Sequence, residues 1–253
     1  TLYQLVKEGW GMIFITGRPF QWGELTLGSL PFSYVLAVQN GALLLEMPSR
    51  KVLIRKCLSP EVLPCVEKIA RSYESDFVIY SGQENDDWCY YCPLSFPPSL
   101  LSYGLKRAVF LGEKWQSLSS FSDLPVSHFT SIKFFANDQR ALHLSQSIEK
   151  ELNLHAPPNR DPYNLDYYVV QVTHPDATKG KILKEFIQTM EITGPIIAAG
   201  DDYNDYSMLK IADVKIVMAT APPDLLAIAD VVAPPASQKG IIQGLREAIS
   251  KLT

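Results

Sequence analysis

The sequence predicts an α/β protein, because short, continuously apolar strands alternate with amphipathic helices near both ends of the chain. A second observation predicts an insertion: residues 45–172 break that alternation and read as a mixed α+β segment. With 253 residues, 47% of them apolar, the chain can bury a substantial core in one large domain or two modest ones.

The first helix has Leu2, Leu5 and Val6 on one face and stops at Gly9, before the apolar run Met12 to Ile15. A second strand, Val35 to Val38, ends at Gln39-Asn40-Gly41, where Asn-Gly favours a turn. In the middle segment, Val52 to Leu58 reads as a strand. Ser59-Pro60 then caps a helix whose apolar face is Val62, Leu63, Val66, Ile69, Ala70 and Tyr73. Strands follow at 77–80, 128–135 and 167–172, with a helix at 139–152. The Pro-, Ser- and aromatic-rich stretch 85–125 is expected to be loosely structured.

The last third restores the alternation. A helix after Thr178 leads to the strand 195–199, a short helix at 208–212 and the strand 215–218. Pro222-Pro223 open another helix, Val231-Val232 form a short strand, and Ile241, Ile242, Leu245, Ala248 and Ile249 line the final helix. The expected organisation is therefore core 1–44, insertion 45–172 and core 173–253.

A net charge of −4 without a basic block argues against a nucleic-acid surface, and no apolar run reaches the ~20 residues of a membrane span. The cysteines at 57, 65, 89 and 92 follow no signal peptide, which suggests a cytoplasmic protein. Cys89-Tyr90-Tyr91-Cys92 has the spacing of a redox pair but is expected to be two partly buried thiols. Zinc would need two further ligands, and Cys57 and Cys65 lack paired spacing.

Three polar clusters stand at the carboxyl ends of expected strands, where open α/β sheets place ligands: Thr16-Gly17-Arg18-Pro19, Thr178-Lys179-Gly180, and Gly200-Asp201-Asp202-Tyr203-Asn204-Asp205. Three carboxylates within five residues repel one another unless a cation neutralises them, and hard oxygens suit Mg²⁺. Taken alone, the cluster fits as well an acidic turn whose Asp caps the next helix. A helix-loop-helix calcium site fits poorly, since Tyr206 stands where that loop needs Gly. Alone, Thr16 reads first as a helix cap and Lys179 as a surface lysine. A hydroxyl, an ammonium and a carboxylate cluster together suit metal-assisted phosphoryl transfer.

Taken in order, with Gln39-Asn40-Gly41-Ala42 between the first two, these motifs resemble the Cof-type phosphatases of the haloacid dehalogenase superfamily, which carry a type IIB cap. The resemblance implies a Rossmann-like doubly wound parallel sheet core with an inserted α+β cap domain. It also implies a Mg²⁺-dependent phosphoric monoester hydrolase acting on small phosphorylated metabolites, sugar phosphates foremost, as a monomer or homodimer. By position, Thr16 would bind the transferring phosphoryl group with Gly17 and Arg18, and Lys179 would neutralise it. Asp201 would be the direct metal ligand and Asp205 the more distant acidic one. Asn204 would donate to the phosphate, and Asn40 would lie near the substrate.

The family's opening Asp-x-Asp-Gly-Thr motif, which supplies the nucleophile and the general acid/base, has no match in the sequence. The expectation is that it lies upstream of Thr1, with the strand that carries it. Two rival functions remain, a non-catalytic relative that binds phosphorylated ligands and a phosphomutase of the same fold.

Overall fold

A computed structural model describes residues 1–161 and 163–252. Along the chain the elements are α1 (Leu2–Lys7), β1 (Ile13–Ile15), α2 (Phe20–Leu27), β2 (Tyr34–Val38), β3 (Leu43–Met47), β4 (Lys51–Arg55), α3 (Leu63–Ser72), β5 (Phe77–Tyr80), β6 (Trp88–Tyr91), α4 (Pro98–Leu111), β7 (Lys114–Ser117), β8 (Ser131–Ala136), α5 (Asp138–Leu152), β9 (Pro158–Arg160), β10 (Tyr168–Val172), α6 (Lys179–Thr189), β11 (Ile197–Gly200), α7 (Tyr206–Leu209), β12 (Val214–Met218), α8 (Pro223–Leu226), β13 (Val231–Ala233) and α9 (Gly240–Ser250). They form two compact units, one made of Thr1–Met12 and the chain from Thr178 onward, the other of Ile13–Ala177.

In the first unit, β11, β12 and β13 form a parallel sheet in that order. Its inward residues Val214, Ile216, Met218, Val231 and Ala233 pack with Ala248 of α9. Apolar burial of this kind contributes about 25 cal/mol per Å² and fixes the register of each strand. Among the described residues β11 is an edge strand, paired only with β12.

In the second unit, β1 and β2 pair in parallel, with α2 as the connection, and β1 is likewise an edge. After Gln39–Gly41 the chain doubles back, so β3 and β4 add antiparallel strands. The turn uses left-handed backbone at Gln39, Asn40 and Gly41. The Asn-Gly turn of the sequence therefore leads into a hairpin rather than a crossover helix, which its composition permits equally.

The unit's other sheet has six strands in the order β7-β6-β5-β8-β10-β9. Alternation divides its side chains between two cores. Phe77, Ile79, Ile132, Phe134, Val170 and Val172 face α3 and α5, through Val66, Ile69, Leu144 and Ile148. Val78, Tyr80, Cys89, Phe135 and Val169 face α4, through Leu100 and Tyr103. Cys89 and Cys92 belong to opposite cores and both are buried free thiols. The pair has redox spacing in sequence, but strand alternation sends the two thiols to opposite faces of the sheet.

The stretch 85–125 is ordered, contrary to expectation. It holds β6, the fourteen-residue α4 and β7. The helix was hidden because its buried face, Leu100, Tyr103, Gly104, Arg107 and Ala108, includes an arginine and a glycine. Gly104 admits the Trp115 ring, and Arg107 is the centre of a buried charge network. Its Nε donates to Asp161 Oδ2 at 2.7 Å and its Nη1 to Glu113 Oε1 at 3.2 Å. Tyr103 and Tyr80 donate their hydroxyls to Asp161 and Glu113 at 2.6 and 2.9 Å, and Trp115 Nε1 donates to Glu113 at 3.0 Å. Lys133 Nζ lies 4.0 Å above the Tyr80 ring, and burial pulls its pKa down to about 8. Sequence periodicity reports apolar faces, and such a satisfied ionic core is invisible to it.

Among the described residues no helix is long and apolar enough to cross a membrane.

Candidate active site

The acidic cluster follows β11 in the first unit. Gly200 is required where the strand ends: a Cβ there would sit 2.5 Å from Asp205 Cβ. The chain then turns so that Asp202 caps the next helical turn in a capping box with Asp205, its Oδ1 accepting the Tyr203 N–H at 2.7 Å. Asp205 is buried, and its Oδ2 accepts the N–H groups of Asp201 and Asp202 at 3.0 and 3.2 Å. Its Oδ1 accepts Lys179 Nζ at 2.6 Å.

Lys179 opens α6, where the helix dipole disfavours a cation. It is buried at 8% exposure, and the Asp205 carboxylate supplies its countercharge. Thr178 caps this helix by accepting the Lys181 N–H at 3.2 Å. Gly180 lets α6 approach α7: its N–H donates to Ser207 Oγ at 3.1 Å, and a Cβ would lie 2.5 Å from the Ser207 carbonyl oxygen.

The two readings of the acidic cluster thus divide among its members. Asp202 caps, Asp205 braces the loop and neutralises Lys179, and Asp201 keeps an exposed carboxylate at the strand's end. Desolvation by the packed loop, and then the charge of Asp205, push the Asp201 carboxyl above the usual range, while Lys179 pulls the other way. The exposed Asp201 carboxylate, with those of Asp202 and Asp205 close by, fits as a magnesium ligand. Both oxygens of Asp205 already face protein donors, which suits contact with a metal through water better than direct ligation. Among the described residues no three His, Cys, Asp or Glu side chains converge as a metal cage, so water and substrate oxygens would complete the shell. Asn204 is half-exposed, and its amide makes no described hydrogen bond.

The other expected residues lie together in the second unit. The Thr16 N–H donates to Ala37 O, and the Asn40 N–H donates to Thr16 O, both at 2.9 Å. The Gln39 N–H donates to Arg18 O at 3.0 Å. Thr16 Oγ1 accepts the Arg18 N–H at 3.2 Å, and the Arg18 guanidinium lies over Trp22, 4.9 Å from the ring centre. The Asn40 amide lies against Gly17 with neither Oδ1 nor Nδ2 partnered, although the residue is 1% exposed. Buried amide atoms left unpartnered cost about 1–3 kcal/mol each and mark a place where a ligand or water completes the bonding.

Sequence reasoning missed Gln171, Ser131 and the side chain of Gln39. Gln171 Nε2 donates to Gly17 O at 3.1 Å and to Gln39 Oε1 at 2.5 Å, and Ser131 Oγ donates to the same Oε1 at 3.1 Å. A lone amide within the apolar strand Tyr168–Val172 was the available signal.

A profile of haloacid dehalogenase-like hydrolases matches residues 1–245. The chain belongs to that family. Among curated family relatives, the HMP-PP phosphatase of Cronobacter sakazakii is 26% identical over 231 residues, covering 89% of this chain and 78% of that protein. Phosphoglycolate phosphatase 2 of Saccharolobus solfataricus is 35% identical over 72 residues, 28% of this chain and 31% of its own length. With the Sulfurisphaera tokodaii phosphoglycolate phosphatase the match likewise spans only 33% of the relative's length. Among solved structures, a haloacid dehalogenase-like hydrolase from Bacteroides thetaiotaomicron superposes with a TM-score of 0.75 at 19% identity, covering 99% of this chain and 89% of that one. A subclass IIB sugar phosphatase superposes at 0.72 with 20% identity, covering 97% and 88%. These likenesses establish the family fold, an α/β core with a cap domain.

Proposed function

We propose that the protein is a magnesium-dependent phosphatase of small phosphorylated metabolites, with core 1–44 and 173–253 and cap 45–172. The observation that carries this reading is the buried Lys179–Asp205 pair, which braces the loop that presents Asp201 at the end of β11. An ion pair buried at the opening of a helix contributes little net stability, and its presence suits a site that handles charge.

In this reading Thr16, with the backbone of Gly17 and Arg18, binds the phosphoryl oxygens, as a hydroxyl and N–H groups after a strand can. Lys179 offsets their charge, and Asn204 donates its amide. Asn40 meets the substrate with its two unpartnered amide atoms. Magnesium, held by Asp201 and through water by Asp205, would supply charge neutralisation to the phosphoryl group. In this reading the nucleophile is the family's Asp-x-Asp-Gly-Thr aspartate, a motif with no match in this sequence.

The relatives named for phosphoglycolate, HMP-PP and sugar phosphates all point to small phosphorylated substrates. Four free cysteines are consistent with a cytoplasmic setting. Product analysis with a hexose phosphate and Mg²⁺, using the natural full-length protein, tests the reading. Free inorganic phosphate is expected. An isomeric hexose phosphate would indicate a mutase, and binding without turnover a non-catalytic relative.

A further inference from the structure

A cavity of about 350 Å³ opens in the second unit where the end of α3 meets the start of β5 and the turn before α4. Its lining includes Glu67, Arg71, Glu74, Ser75, Asp76 and Phe96. Two of these hold buried polar atoms without a partner: Ser75 Oγ and Asp76 Oδ2, on residues 5% and 3% exposed. The other oxygen of Asp76 accepts the Phe77 N–H at 2.8 Å, which fixes the carboxylate's position. We propose that this cavity is a binding site for a small organic ammonium ion. The inference is independent of the phosphatase reading.

The chemistry of the lining selects that ligand class. In its ionised form the Asp76 carboxylate only accepts hydrogen bonds, so a group that satisfies Oδ2 in that form must donate. Glu67, Glu74 and Asp76 face one cation, Arg71, which already lies 3.9 Å from Glu67. The balance is negative, which excludes a phosphorylated metabolite and favours a cation. A bare metal ion is a poor occupant, because among the described residues no three ligating side chains converge. The buried Phe96 ring gives the same cavity an apolar, π-rich wall, which suits an alkyl body and adds a cation–π attraction. Burial, followed by repulsion from Glu67, pushes the Asp76 carboxyl up to about 7, a cost that a bound ammonium removes.

Calorimetric titration of the full chain with n-butylammonium, and with n-butanol as its neutral isostere, tests the site. Saturable binding of the ammonium and none of the alcohol is expected. Asp76→Asn keeps the acceptor for Phe77 but replaces the orphan acceptor with a donor. It should weaken binding about tenfold or more, as loss of a desolvated charge partner does. Ser75→Ala, a smaller change, should weaken it less, with an unchanged circular dichroism spectrum showing that both variants fold. The proposal is overturned by absence of saturable binding, by equal binding of n-butanol, or by Asp76→Asn binding as the parent does.

Discussion

Asp205 and Lys179 form a pair whose two members do unequal work, and that inequality is measurable. Asp205 accepts three donors, the Lys179 ammonium and the N–H groups of Asp201 and Asp202, whereas Lys179 has Asp205 as its one described partner. The side chains are 6% and 10% exposed, so the charges are screened little by water. Asp205→Ala leaves a buried, uncompensated ammonium, which costs about 3–5 kcal/mol. The two freed N–H groups add less, because Asp201 and Asp202 are exposed and water can reach them. Lys179→Met leaves a carboxylate still held by two N–H donors and should cost less, about 1–3 kcal/mol. In the double variant neither charge remains, so its cost should fall well below the sum, with a coupling of about 2 kcal/mol. Urea unfolding followed by far-UV circular dichroism gives all four stabilities. Additive costs, or a larger loss for Lys179→Met than for Asp205→Ala, would refute the reasoning.

Three further outcomes are expected. Gly180→Ala should destabilise by about 1–3 kcal/mol in thermal unfolding, since its Cβ would meet the Ser207 backbone oxygen at 2.5 Å and backbone cannot step aside as a side chain can. Arg107→Met leaves the buried Asp161 and Glu113 carboxylates without their shared cation, and should cost about 3–5 kcal/mol by urea titration. Asp76 has a folded pKa of about 7, above that of the unfolded chain, so its contribution to stability is complete below about pH 4 and is lost as pH rises through 7. Asp76→Asn should remove that slope and be more stable than the parent at pH 8, in thermal melts taken across the range; a parallel pH profile would contradict it.

The parallel strands of the chain's last third were legible because each is a short, largely apolar run with Gly, Asp or Pro next to at least one end, and a buried parallel strand needs no more than that. The helices α3 and α5 were legible for the complementary reason, an apolar stripe at helical spacing behind a Ser or Asn cap. What escaped was held by polar groups. α4 is tied to its sheet by Arg107, and β2 turns into β3 through three left-handed residues whose turn composition admits several outcomes. At the site, the motif residues stood out as polar clusters after strands. Their division of labour did not, because spacing cannot tell that Asp205 points inward to Lys179 while Asp201 points to solvent. Gln171 and Ser131 lie 132 and 92 residues from Gln39, their hydrogen-bonded partner, and only the fold brings them together.

In the proposed reading Asp201 holds the metal that the phosphatase chemistry needs. Magnesium-dependent release of phosphate from 4-nitrophenyl phosphate, measured on the natural full-length protein, on Asp201→Ala and on Cys89→Ala, tests it most directly. Asp201→Ala should lose activity about a hundredfold or more at any magnesium concentration, while Cys89→Ala, altered at a buried thiol, should stay near the parent. Equal activity of Asp201→Ala and the parent would contradict it.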